Sequence, residues 1–166
     1  MLKKLFLLLL VAMPAILVAQ DKIAYISAQE IFAKMPEYAE AQAKLTTKRE
    51  TALKTAQAIE QEYKALLEKY QNDTTELSES ILLDRQKQVQ QLEERYQNFI
   101  QTSNAEFEKE QEALLTPIQQ KLMNTIKDVG DENGIAYILD RAALLYVNPS
   151  ATDITPKVKA KLGITN

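Results

Sequence analysis

Cysteine, histidine and tryptophan are absent from the 166 residues, and glycine occurs only at Gly130, Gly134 and Gly163. Without cysteine there is no disulfide framework, so a chain working outside the cytoplasm has to hold together by packing alone. Without histidine or cysteine the commonest general bases, nucleophiles and transition-metal ligands are missing. With no glycine before Gly130, there is no glycine-rich loop to cradle a phosphate. Positive charge is scarce as well: 20 Lys+Arg stand against 23 Asp+Glu, and Lys3 and Lys4 lie in a leader expected to be removed. Clustered cations are what neutralise phosphates, so nucleic acid is not expected as a partner.

Long apolar runs are absent except at the start, where MLKKLFLLLLVAMPAILVA has a basic beginning at Lys3 and Lys4, an apolar stretch from Leu5 to Val18 and a small exit residue, Ala19. That layout reads as a secretory signal over residues 1–19, cleaved near Ala19. Interrupted by Pro14, the run is short against the ~20 residues that span a bilayer.

Ala, Leu, Glu, Gln and Lys dominate the chain beyond this leader. From Pro36 to about Gln71 the composition predicts one long helix. Tyr38, Leu45, Ala52, Ile59 and Leu66 recur at every seventh position, with Ala56, Tyr63 and Tyr70 beside them, which makes one apolar seam of a coiled coil. Polar Gln42 and Arg49 interrupt it. Asn72–Ser80 breaks the pattern, with Asp73 and Glu76 at capping-box spacing. A second helix is expected from about Leu77 to Glu132, carrying Leu82, Val89, Leu92, Tyr96 and Phe99. The stripe then slips by eleven residues to Phe107 and continues through Leu114, Ile118, Leu122, Ile126 and Val129. Pro117 is expected to kink it. The two helices form an antiparallel hairpin.

The tetrapeptide IAYI occurs at both ends of this hairpin, at Ile23–Ile26 and Ile135–Ile138. Ile23–Ser27 and Ile135–Leu139 read as strands, the second apolar throughout and therefore covered on both faces. Arg141-Ala142-Ala143 suits a tight turn into a further strand, Leu144–Val147, which Asn148-Pro149 ends. Ser27 and Glu30 suit a capping box for a short helix, Ala28–Met35. A hairpin returns its ends to one place, so the two IAYI segments should be neighbours in one sheet. Three short strands bury too little to stand alone. The fold class expected is α+β, mostly α: a helical hairpin arm over residues 37–132, with its tip near 72–80, projecting from a β body of residues 20–36 and 133–166. Oligomerisation through Ile23, Tyr25, Ile26, Ile135, Tyr137, Ile138, Leu144 and Tyr146 should complete that body.

KIAYISAQEIFAKMPE at Lys22–Glu37 and YILDRAALLYVNPSATDITPKVKAKLG at Tyr137–Gly163 resemble the Skp/OmpH family of periplasmic chaperones for outer-membrane proteins. In DIT, Asp153–Thr155, Thr155 looks like the N-cap and Pro156 the first turn of a last helix that Gly163 ends. The resemblance implies a homotrimer with three helical arms enclosing a cavity, holding unfolded outer-membrane β-barrel proteins without ATP. Asp73–Thr116 carries ten acidic against four basic residues, unlike the basic arms of the best-known members, so no residues are carried over for lipopolysaccharide or anionic headgroups. Peripheral proximity to a membrane stays open, with no lipid site assigned.

Client-contacting candidates on the arm are Leu53, Leu67, Tyr63, Tyr70, Tyr96 and Phe99, the last four with packing inside the arm as the competing role. Glu106, Glu108, Glu110 and Glu112 alternate and so spread around a helix instead of converging on a cation. Asp140 and Asp153 suit turn and capping roles. No catalytic, metal or cofactor residues emerge, and the chain is not expected to be an enzyme. The second reading is a structural coiled coil of the cell envelope.

Overall fold

The computed structural model describes residues 22–73 and 78–164. The leader at residues 1–19 and Glu76 of the expected capping box lie outside them. The element order is β1 (Ile23–Ile26), α1 (Ala28–Lys34), α2 (Pro36–Asn72), α3 (Glu79–Asn133), β2 (Tyr137–Asp140), a 3-10 turn (Arg141–Ala143), β3 (Thr152–Asp153) and α4 (Thr155–Lys161). With 37 and 55 residues, α2 and α3 are about 55 and 82 Å long at 1.5 Å per residue. They pack as an antiparallel hairpin. The surplus length of α3 lies at its C-terminal end, where Ile118, Leu122, Ile126 and Val129 enter the core of the body. The helix runs through Pro117 without interruption.

The sheet has the order β2-β1-β3, and both pairings are parallel. Ile23 pairs with Tyr137 and Ile26 with Asp140, so the two IAYI words are neighbours, offset by two residues. Ala24 and Ile26 face the core with Ile31, Met35, Ala41, Ile154 and Val158. Gly130 of α3 is buried under β2, where a Cβ would come within 2.9 Å of Ile138 Cδ1. At the end of α3, Gly134 takes φ +59°, and the N–H of Ile135 donates to the Gly130 carbonyl at 3.0 Å. This is the left-handed glycine cap that a long helix needs.

Several expectations are corrected. The second strand starts at Tyr137, because the Ile135 N–H completes the helix cap instead of a ladder. It is covered on one face only, with Tyr137 and Leu139 exposed. Leu144–Val147 is not a strand: the second edge of β1 is taken by Thr152–Asp153, and the Asn148 side chain, accepting from the Ser150 N–H at 2.9 Å, turns the chain back to it. Ser27 makes no side-chain cap, and Thr155 is the first helical residue, not the cap. The Thr155 N–H is satisfied by Asp153 Oδ1 at 2.8 Å, which leaves its hydroxyl to accept from the Ser27 N–H at 3.0 Å. The Thr155 hydroxyl, expected as a cap, instead ties the start of α4 to the residue before α1. Asp73 ends α2 and pairs with Arg85, while Ser78 precedes α3.

Candidate functional site

Two surfaces of the described residues stand out, the outer face of the sheet and the flanks of the arm. Alternation along β1 puts Ala24 and Ile26 inward and Ile23 and Tyr25 outward. In β2 the outward residues are Tyr137 and Leu139. Ile23 is 57% exposed and Tyr137 58%. Leu145 and Tyr146 beyond them are also exposed, and the Arg141 guanidinium lies 5.7 Å from the centre of the Tyr25 ring. The eight residues expected in the oligomer body therefore divide. Ile23, Tyr137 and Tyr146 are exposed on the outside. Ile26 is buried in the chain's own core, Ile135 and Ile138 pack against that core, and Tyr25 and Leu144 are half-buried. Leu139 and Leu145, which the sequence pattern did not single out, belong with the exposed group.

The arm's seam changes along its length. At the root it is closed: Ala41 and Leu45 are buried, Lys121 pairs with Glu37, and Lys48 reaches Glu110 at 3.6 Å and Glu106 at 3.9 Å. Two of the four alternating glutamates thus serve as partners of one lysine; among the described residues no carboxylate cluster could hold a metal ion. Arg49, a polar interruption of the seam, lies 5.1 Å from the centre of the Phe107 ring, so its stem and charge are both used. The slip between Tyr96 and Phe107 is bridged by half-buried Phe99, Ile100 and Ser103. Further out, Ile59 and Leu92 are buried at the centre of a seam that opens on both sides. One groove, of about 810 Å³, is lined by Ile59, Tyr63, Leu92 and Tyr96 with polar residues around them. The other, about 510 Å³, is lined by Leu66, Leu92, Glu62, Lys69 and Arg95 among others.

Of the candidate client contacts, Leu53 is 56% exposed and meets solvent directly, and Leu67 is half-buried. Tyr63, Tyr70, Tyr96 and Phe99 are half-buried within the arm. The Tyr63 hydroxyl donates to Glu93 Oε1 at 2.9 Å, and the neighbouring carboxylate pushes the phenol's pKa up. The Tyr70 hydroxyl donates to Gln88, and its ring carries the Arg85 guanidinium at 4.8 Å. Leu82, expected in the seam, is 50% exposed, and Ile81 and Leu83 beside it are 44% and 67% exposed. Three consecutive apolar residues sweep about 200° around a helix, so one partner helix does not cover them all. That spacing was the signal available in the sequence. Asp140 accepts from the Ala142 N–H at 2.9 Å, as a turn residue.

The architecture is thus that of a mostly helical protein, a long hairpin rooted in a small parallel sheet with an uncovered apolar face and a gapped arm. The family model described as outer membrane protein (OmpH-like) matches residues 22–162, and the chain belongs to that family. The crystal structure of a protein described as an OmpH-like outer membrane chaperone, from Caulobacter crescentus CB15, has the same fold. Its TM-score is 0.75 at 20% identity, covering 87% of this chain and 85% of that one. No curated protein matches the chain.

Proposed function

We propose that the chain is a periplasmic holdase chaperone that binds unfolded outer-membrane β-barrel proteins without ATP. The leader at residues 1–19 directs export and is cleaved near Ala19. Residues 20–36 and 133–166 form the body of a homotrimer, and residues 37–132 form its arms, which enclose the client. The observation that carries this reading is the arm's seam, closed at its root and open on both sides of Leu92. An arm of that kind offers many weak apolar contacts in place of one tight site, so a client is kept from aggregating and still leaves when folding elsewhere is more favourable. Assembly is supported by the uncovered sheet face at Ile23, Tyr137 and Leu139. The same family membership and the crystal structure's description favour a chaperone over a rigid envelope strut.

Native mass spectrometry of residues 20–166, alone and after dilution of a urea-unfolded barrel protein into it, tests the proposal. The expected result is a trimer that gains one client and suppresses its aggregation. An assembly that ignores the client and leaves its aggregation unchanged would overturn it.

A further inference from the structure

The two grooves beside Leu92 differ in charge. The larger has an apolar floor, with Ile59 and Leu92 buried and the rings of Tyr63 and Tyr96 half-buried. Its rim holds three carboxylates, Glu60, Glu93 and Glu94, and no lysine or arginine lines it. The smaller groove on the same seam holds one carboxylate, Glu62, against Lys69 and Arg95. The rim of the larger groove therefore carries one sign of charge, whereas the smaller groove mixes both. Glu93 is fixed by the Tyr63 hydroxyl at 2.9 Å, Glu94 accepts from Gln90 at 3.1 Å, and Glu60 bonds Lys64 one turn along α2. Glu60 thus already has the Lys64 ammonium beside it at 2.6 Å, whereas Glu93 and Glu94 accept from neutral donors.

Resting on the reading of the arm as a client-holding surface, we propose that this groove seats an unfolded segment in which a lysine or arginine neighbours an apolar or aromatic residue. The apolar side chain fills the floor between Ile59, Leu92 and Tyr96. The cation meets the rim carboxylates and the face of the Tyr63 ring. At about 810 Å³ the groove lies within the ~300–1,000 Å³ range of sites that bury a ligand of several side chains. A chain segment with a carboxylate in place of the cation is repelled there, so the arm selects segments by charge as well as by apolarity.

The test uses the full mature chain and two fluorescein-labelled ten-residue peptides, one alternating leucine or phenylalanine with arginine, the other with glutamate in place of arginine. Fluorescence anisotropy should show the basic peptide binding about tenfold tighter or more, equivalent to one decade in Kd. The double variant Glu60→Gln with Glu94→Gln should lose most of that preference, while Glu108→Gln with Glu112→Gln, which removes the same charge from an exposed stretch of α3, should keep it. Equal binding of the two peptides, or an equal loss in both double variants, overturns the groove assignment. Suppression of barrel aggregation is measured on the same samples. Suppression without a charge preference leaves the holdase reading standing and removes this inference. A preference that tracks the groove variants without any suppression supports the groove and removes the holdase reading.

Discussion

Lys159 shows how much of the body depends on single side chains. It is only 7% exposed, and its ammonium group bonds Glu30 of α1, which also pairs with Lys34 at 3.6 Å. The bond from Lys159 holds the Glu30 carboxyl below its ordinary 4.5, and Lys121 does the same for Glu37 at the arm's root. A carboxyl held low contributes stability that is fully present above about pH 4.5 and lost as pH falls through the lower folded-state value. Urea midpoints of the native chain and of Glu30→Gln should therefore differ at neutral pH and converge as the pH is lowered below about 4.5. A constant gap would show that the pair does not act through this ionisation. Ile31 and Val158 are fully buried on either side of this contact. Ile31→Ala should cost about 2–5 kcal/mol, read from urea unfolding, because a packed core closes only partly around the space left behind. At this scale the sequence was only partly legible. Ser27, Glu30, Thr155 and Asp153 were recognisable as helix-start residues, but which donor each would satisfy depended on α1 meeting α4 across the sheet, a contact between residues 128 apart.

At the scale of elements the arm was largely readable and the end of the body was not. Seven-residue spacing places Leu45 and Ile59 in the buried seam, because a helix pair can bury only one stripe, and Leu92, beside the repeat of the second helix, is buried with them. Leu82 failed since its neighbours Ile81 and Leu83 are equally apolar, and all three are exposed. The β-prone word Leu144–Val147 failed differently: after the 3-10 turn it joins neither the free edge of β2 nor β1, whose second edge goes to Thr152–Asp153. The charged groove was invisible in the sequence because it is made jointly by two helices. Stability should be graded along the arm. Hydrogen exchange is expected to be slowest in Ile118–Val129, which lies in the core, and to quicken steadily from Leu92 toward Ser78. Uniform protection over the whole of α3 would contradict the open seam.

For the whole molecule the decisive surface is the outer sheet face. Sequence reasoning found the neighbouring IAYI segments and expected further copies to complete the sheet, but treated both faces of the strands alike. The structure separates them, and this changes the informative substitution. Ile135→Asp would injure the chain's own core, whereas Ile23→Asp with Tyr137→Asp touches two side chains that are more than half exposed in one copy. That pair should convert the proposed assembly to monomers with the helical circular dichroism retained. Unchanged sedimentation would remove the sheet face from the interface.

The parallel sheet also has a consequence for the order in which the chain becomes itself. β1 is the first described element, yet it is the central strand, and both its neighbours come from residues beyond 136. Closing that loop takes more than a hundred residues, while the helices between need only local turns and a hairpin. A chain threaded from its N-terminus therefore winds its arm before it can fasten its root. Its first described strand waits unpaired until residues 137–140 arrive, so this protein passes through its own unfolded interval with the kind of exposed, β-prone segment that it is proposed to shelter in others.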